Sequence, residues 1–167
     1  IQQENPILNF AVHNLLSYSE PIWQALGGRC VFIEVVRHPL YMVRQQALNM
    51  RHLLGNVRNF TVYYAYQGRE LPYYIYGWEK DYLNSNHMGR AIHFIDKLTH
   101  RTKKSRKKLK EKYPAKIITI PFEKFVLNPE PWVQKIADAL GTNILDSTRK
   151  VMSEQNIPRN MVADGID

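Results

Sequence analysis

The sequence predicts an α/β domain with a central, mainly parallel sheet flanked by helices. Three observations carry that expectation. Two short β-branched runs, Cys30 to Val36 ("CVFIEVV") and Lys116 to Ile120 ("KIITI"), lack helical spacing and are bounded by Gly27, Gly28 and Pro39 and by Pro121. Both runs are apolar on both faces, which suits strands covered by helices on either side. Each is followed by a helical pattern, and strand, helix, strand, helix in that order builds right-handed crossovers.

Taken along the chain, "ILNFAV" (7–12) is a plausible first strand, and Cys30 to Val36 is the clearest buried one. After Arg37-His38-Pro39, the residues Val43, Ala47, Met50 and Leu54 step by four, three and four along one helical face, and Gly55 is a natural stop. The stretch 60–78, "FTVYYAYQGRELPYYIYGW", places six tyrosines in two β-rich runs around Gln67-Gly68-Arg69-Glu70 and reads as an inserted aromatic hairpin. A helix follows over about 85–98, with Met88, Ile92, Ile95 and Leu98 as its buried stripe. After the second strand, Asn128 is the expected N-cap, with Pro129 at the first helical position and Trp132, Val133, Ile136, Ala137 and Leu140 leading to Gly141. A last helix is expected around 145–154.

A length of 167 residues suits one domain, and 44% apolar with 23% charged residues excludes a wholly disordered chain, a collagen-like chain and a disulfide scaffold. No apolar run approaches the roughly 20 residues of a membrane span, and no secretory leader pattern is visible, so a cytoplasmic location is expected. The single cysteine, Cys30, excludes an intramolecular disulfide and reads as a small core residue. The net charge is +8, and residues 101–112 hold eight basic side chains against the one acid Glu111. The rest of the chain is therefore nearly neutral, and one basic patch replaces the uniformly basic surface of a nucleic-acid binder. That patch is expected to be a solvated helix or loop, with only Glu111 at hand to pair its charges.

Chemistry is expected first at Arg37. A cation placed where a strand ends and a helix begins meets the free N–H groups and positive dipole end of that helix, so both attract the same phosphate. In open α/β sheets ligands bind at the carboxyl ends of the strands. The alternative is an arginine that pairs with a loop carboxylate.

The stretch "CVFIEVVRHPLYMVRQQALNM" resembles the 3′-phosphate-binding strand, loop and helix of the sulfotransferase family, and "IITIPFEKFVLNPEPWVQKIADALG" is similar to a later family strand, Glu-bearing turn and helix. The resemblance covers about a quarter of the chain. It implies a P-loop-NTPase-like fold and 3′-phosphoadenosine-5′-phosphosulfate (PAPS) as sulfuryl donor to a hydroxyl acceptor, with no metal. Arg37 matches the family arginine on the 3′-phosphate. The family's partner serine falls at Gln45, with Arg44 and Gln46 beside it, and Arg159 to Gly165 is similar to the family's C-terminal phosphate loop. Nothing matches G-x-x-x-x-G-K-S/T, so a single domain lacking its N-terminal phosphosulfate-loop segment is expected. His13, 24 residues before Arg37, stands where one family branch has its general base, and Glu4 and Glu20 are alternates. Glu123 is expected to organise its own turn.

His38, His52, His87, His93 and His100 show no metal-ligand spacing. The acceptor is expected to be hydroxyl-bearing, a carbohydrate or other anionic polymer among the options, with the tyrosine hairpin as one wall of its cleft and nucleic acid disfavoured. The rival reading is a polyanion-binding module without turnover, gripping nucleic acid or a sulfated glycan through Lys103, Lys104, Arg106, Lys107, Lys108, Lys110 and Lys112.

Overall fold

The computed structural model describes residues 7–12, 15–53, 62–114 and 116–162. A 3₁₀ turn, Leu15–Tyr18, leads into α1 (Glu20–Leu26), β1 (Val31–Val36) and α2 (Pro39–Leu53). A hairpin of β2 (Tyr63–Tyr66) and β3 (Arg69–Pro72) comes next, then α3 (Glu79–Asn84) and the long α4 (His87–Lys112). The chain returns through β4 (Lys116–Pro121) and ends in α5 (Phe122–Leu127), α6 (Glu130–Leu140) and α7 (Asp146–Glu154).

The architecture is mixed α/β and mostly helical, with a parallel sheet of only two strands among the described residues. β1 pairs with β4 in register from Val31↔Lys116 to Val36↔Pro121. Strand alternation then puts Phe32, Glu34, Ile117 and Thr119 on one face and Ile33, Val35, Ile118 and Ile120 on the other. On the first face Trp23 of α1 stacks on Phe32 at 4.9 Å and, with Leu16 and Leu109 of α4, forms a small core that Cys30 joins. α6 packs against both strands. Ile118 and Ile120 are buried, but Ile33 and Val35 stay 44% and 59% exposed, so the expected cover on both faces holds for β4 and not for β1. Residues 7–12 form no strand and are exposed throughout.

The larger core lies away from the sheet. Ala47 and Met50 of α2 meet Leu71, Ile75 and Trp78 from the hairpin region, Tyr82 of α3, and Ala91, Phe94 and Ile95 of α4. The stripe on α2 is the one its spacing predicts; Leu54 and Gly55 lie outside the described residues. On α4 the expected stripe holds at Ile95 and Leu98, in and against this core, but not at its start: Met88 and Ile92 are 41% and 53% exposed, while Ala91 is fully buried. A small side chain at 91 lets α2 approach α4 closely, and the ring of Phe94 fills the seam beside it.

The hairpin turns on Gln67 and Gly68 alone, with φ of 50° and 74°. Two consecutive left-handed residues match the twist of the flanking strands, and glycine supplies the second without strain. At the other boundary Asn128 does not cap α6. Its N–H closes α5 on the Lys124 carbonyl, and Pro129 stands before Glu130, so a short helix replaces the expected turn after β4. Gly141 ends α6 in the left-handed conformation, as the sequence suggests.

The basic run is ordered helix, continuous with residues 87–100 and capped by Asn86, whose side chain accepts from the Gly89 N–H at 2.8 Å. It also has more carboxylates than Glu111. Arg106 pairs with Glu34 on β1 at 2.5 Å, where Thr119 donates to the same oxygen, and Lys108 and Lys112 both reach Glu20 of α1. No helix among the described residues is long and apolar enough to cross a membrane.

Candidate functional site

Because Val36 and Pro121 are paired in the register, β1 and β4 end level, and the residues that follow them leave the sheet side by side. Arg37 and His38 come from one strand end, Phe122, Glu123 and Lys124 from the other. Glu123 fastens the two: one of its carboxylate oxygens accepts the His38 backbone N–H at 2.8 Å. Its role is thus to hold the loop of the neighbouring strand rather than its own turn.

The Arg37 guanidinium carbon lies 4.8 Å from the centre of the Phe122 ring. Arg159, from the segment after α7, has its guanidinium carbon 5.8 Å from the centre of the same ring, and its backbone N–H donates to the Val126 carbonyl. Attraction between a cation and an aromatic face orients each guanidinium, and in Arg37 it leaves the N–H fork for a ligand. An open cleft of about 420 Å³ begins here, with Val36, Arg37, His38 and Tyr41 on one side and Pro121, Glu123 and Lys124 on the other. One guanidinium and one ammonium against one carboxylate leave the lining net positive, which suits an anion.

The N–H groups at the start of α2 do not contribute as expected. Pro39 has none, the Leu40 N–H donates to His38 Nδ1 at 3.3 Å, the Tyr41 N–H to the His38 carbonyl at 3.0 Å, and that of His38 to Glu123. Those of Leu40 and Tyr41 are engaged inside the turn, and that of His38 crosses to the neighbouring strand end. Attraction at this edge therefore rests on side chains and on the helix dipole.

Of the residues singled out in the sequence, Arg37 and Arg159 are brought together. Arg44 and Gln45 are not part of the cleft wall: both are exposed on α2, and the Gln45 amide donates along the helix to Asn49 Oδ1 at 3.2 Å. His13 and Glu4 lie outside the described residues. Glu20 is held by Lys108 and Lys112, whose hydrogen bonds bring its carboxyl down to about 2, which makes it a poor proton acceptor. The tyrosine hairpin does not wall this cleft. Leu71 and Ile75 are buried in the larger core, and Tyr64 donates to Glu79 at 2.9 Å.

Phe122 and Lys124 were not singled out, although the signal was present. The reasoning that marks Arg37, a residue just past a strand's carboxyl end, applies equally to the residues just past Pro121. Among the described residues no group of three or more His, Cys, Asp or Glu side chains could hold a metal ion. Comparison with protein-family models, curated proteins and solved structures finds no match to this chain.

Proposed function

We propose that this domain is a PAPS-dependent sulfotransferase in which Arg37 and Arg159 bind the 3′-phosphate of the donor. The observation that carries the reading is the convergence of the two guanidiniums on Phe122, at the level where β1 and β4 end. It coincides with the two stretches that resemble the family, one supplying Arg37 and the other Phe122. Lys124 adds a third positive charge beside a dianionic phosphate, and Tyr41 offers a ring edge to the adjoining ribose or base.

In the reaction, the acceptor hydroxyl oxygen bonds to the donor sulfur as the bond from sulfur to the bridging oxygen breaks. The electron pair leaves on the 5′-phosphate, and the hydroxyl proton passes to a base, for which His13 is the candidate. Arg37 and Arg159 act in binding and alignment, since a donor fixed at its 3′-end brings sulfur in line with the acceptor. The rival, a polyanion-binding module without turnover, draws on the lysines that α4 turns to solvent and requires no nucleotide site.

Titration calorimetry with adenosine 3′,5′-bisphosphate separates the two. Binding by the wild type, weakened by about 1.5–3 kcal/mol in Arg37→Ala, is the expected outcome, as for a charge-assisted hydrogen bond. Equal affinity in both proteins would remove Arg37 from the site.

A further inference from the structure

The fold divides the basic run of α4 into two faces. Toward the body, Arg106 meets Glu34, Lys108 and Lys112 meet Glu20, and Arg101 donates to the Tyr18 hydroxyl at 2.8 Å. Toward solvent stand Lys103, Lys104, Lys107 and Lys110, all exposed. Only Lys107 has a carboxylate within 4 Å among the described residues, and that contact, to Glu111 at 3.9 Å, is between two solvated side chains. At 100° and 1.5 Å per residue, Lys103, Lys107 and Lys110 share one stripe about 10 Å long with Lys104 at its side.

Four ammonium groups so close repel one another, by a few tenths of a kcal/mol for each pair at helical spacing. Neither the packing of α4 nor its helicity requires them, because the buried seam and the inward ion pairs are on the other face. An anion bridging the stripe removes the repulsion. We propose that this face of α4 is a docking surface for a linear anionic glycan, one bearing sulfate or carboxylate groups along its length.

Its extent and composition fit such a partner better than a nucleic acid. Asp96 and Glu111 bound the stripe in sequence, so it offers a few charges over two helical turns, fewer than the 6–10 phosphate contacts of a duplex binder. Between those acids the exposed positions include no Tyr, Phe or Trp on which a base could stack and no Asn or Gln to read a base edge. Lysine ammoniums are rotatable point charges, suited to anionic groups of irregular spacing.

The stripe also has a direction. Arg106 lies at Glu34, and Leu109 and Tyr113 lie with Phe32 and Cys30, so α4 runs antiparallel to β1. The Lys103 end of the stripe therefore points toward the strand ends that carry Arg37. In combination with the proposed reaction this makes the docked glycan the hydroxyl-bearing acceptor, a step that rests on that reading, whereas docking itself does not.

The test is titration of a short heparin-derived oligosaccharide into the wild type, a variant with all four lysines changed to Gln, one with all four changed to Arg, and Arg37→Ala, from about 50 to 200 mM salt. The Gln variant is expected to lose at least about tenfold in affinity, with a shallower salt dependence and an unchanged melting temperature. The Arg variant and Arg37→Ala should keep wild-type affinity. No binding by the wild type, no loss in the Gln variant, loss in Arg37→Ala, or tighter binding of a DNA duplex than of the glycan would each overturn the proposal. Glycan binding by a protein that ignores adenosine 3′,5′-bisphosphate would keep the docking face and end the sulfotransferase reading alone.

Discussion

Glu123 exerts two opposing effects on an anion at the edge of the sheet. Its hydrogen bond to His38 fixes the loop that presents Arg37, while its charge stands in the wall of the cleft proposed to hold phosphate. Two unit charges 5–6 Å apart at an effective dielectric near 20 interact by about 3 kcal/mol before salt screening, so the repulsion is not negligible. Gln keeps the acceptor and removes the charge; Ala removes both. Glu123→Gln is therefore expected to bind adenosine 3′,5′-bisphosphate several-fold more tightly than the wild type, and Glu123→Ala about tenfold more weakly than Glu123→Gln, as for one lost hydrogen bond. Matching affinities for Gln and Ala would show that the bond to His38 positions nothing. Arg37 could be found from one line of sequence because strand ends are local features. The partner of Glu123 could not, since a backbone N–H 85 residues away carries no mark of its own.

α4 shows where pattern reading stops at the scale of an element. Its apolar positions contain two stripes about one residue out of phase, one through Met88 and Ile92 and one through Ala91 and Phe94, and only the shape of α2 and the hairpin selects between them. Its basic half reads as a solvated stretch because the acids that hold it, Glu20 and Glu34, come from elements far upstream. The Glu20 contact makes a pH prediction. Lys108 and Lys112 bring its carboxyl from the ordinary 4.5 to about 2, so the folded state holds the charged form more firmly than the unfolded state does. Its contribution to stability is complete above pH 4.5 and is lost as the pH falls from there toward 2. Urea midpoints measured across that window should fall more steeply for the wild type than for Glu20→Gln. Glu79 is also lowered, by the N–H of Gly77 and by Tyr64, but it is common to both proteins and cancels in the comparison. Parallel acid limbs would show that the α1–α4 contact does not contribute.

Across the whole molecule, the order of strands and helices and the parallel pairing of residues 31–36 with 116–121 follow from the sequence pattern, because buried β-branched runs separated by helices have few other arrangements. The size of the sheet does not follow. Short apolar runs do not state how many neighbours they will find, and residues 7–12, equally apolar, find none among the described residues. Nor does the sequence announce that most of the buried side chains gather around α4 rather than around the sheet. α4 joins the two cores, with Ala91 to Ile95 in the larger and Leu109 in the smaller, and so links the hairpin to the strands that end at Arg37.

Among the described residues, a two-stranded sheet leaves β1 with one neighbour. In a parallel pair each strand turns alternate amides toward its partner, so half of those between Val31 and Val36 are tied to β4 and the intervening ones face the open side. Hydrogen–deuterium exchange resolved by residue should therefore be uneven along β1, slow and fast amides following one another with a period of two. Uniformly slow exchange along the strand would mean that another strand occupies its free side in solution. The alternation, if observed, marks β1 as a template: its free amides and carbonyls are positioned to take up an incoming extended chain without any rearrangement of the pair already formed.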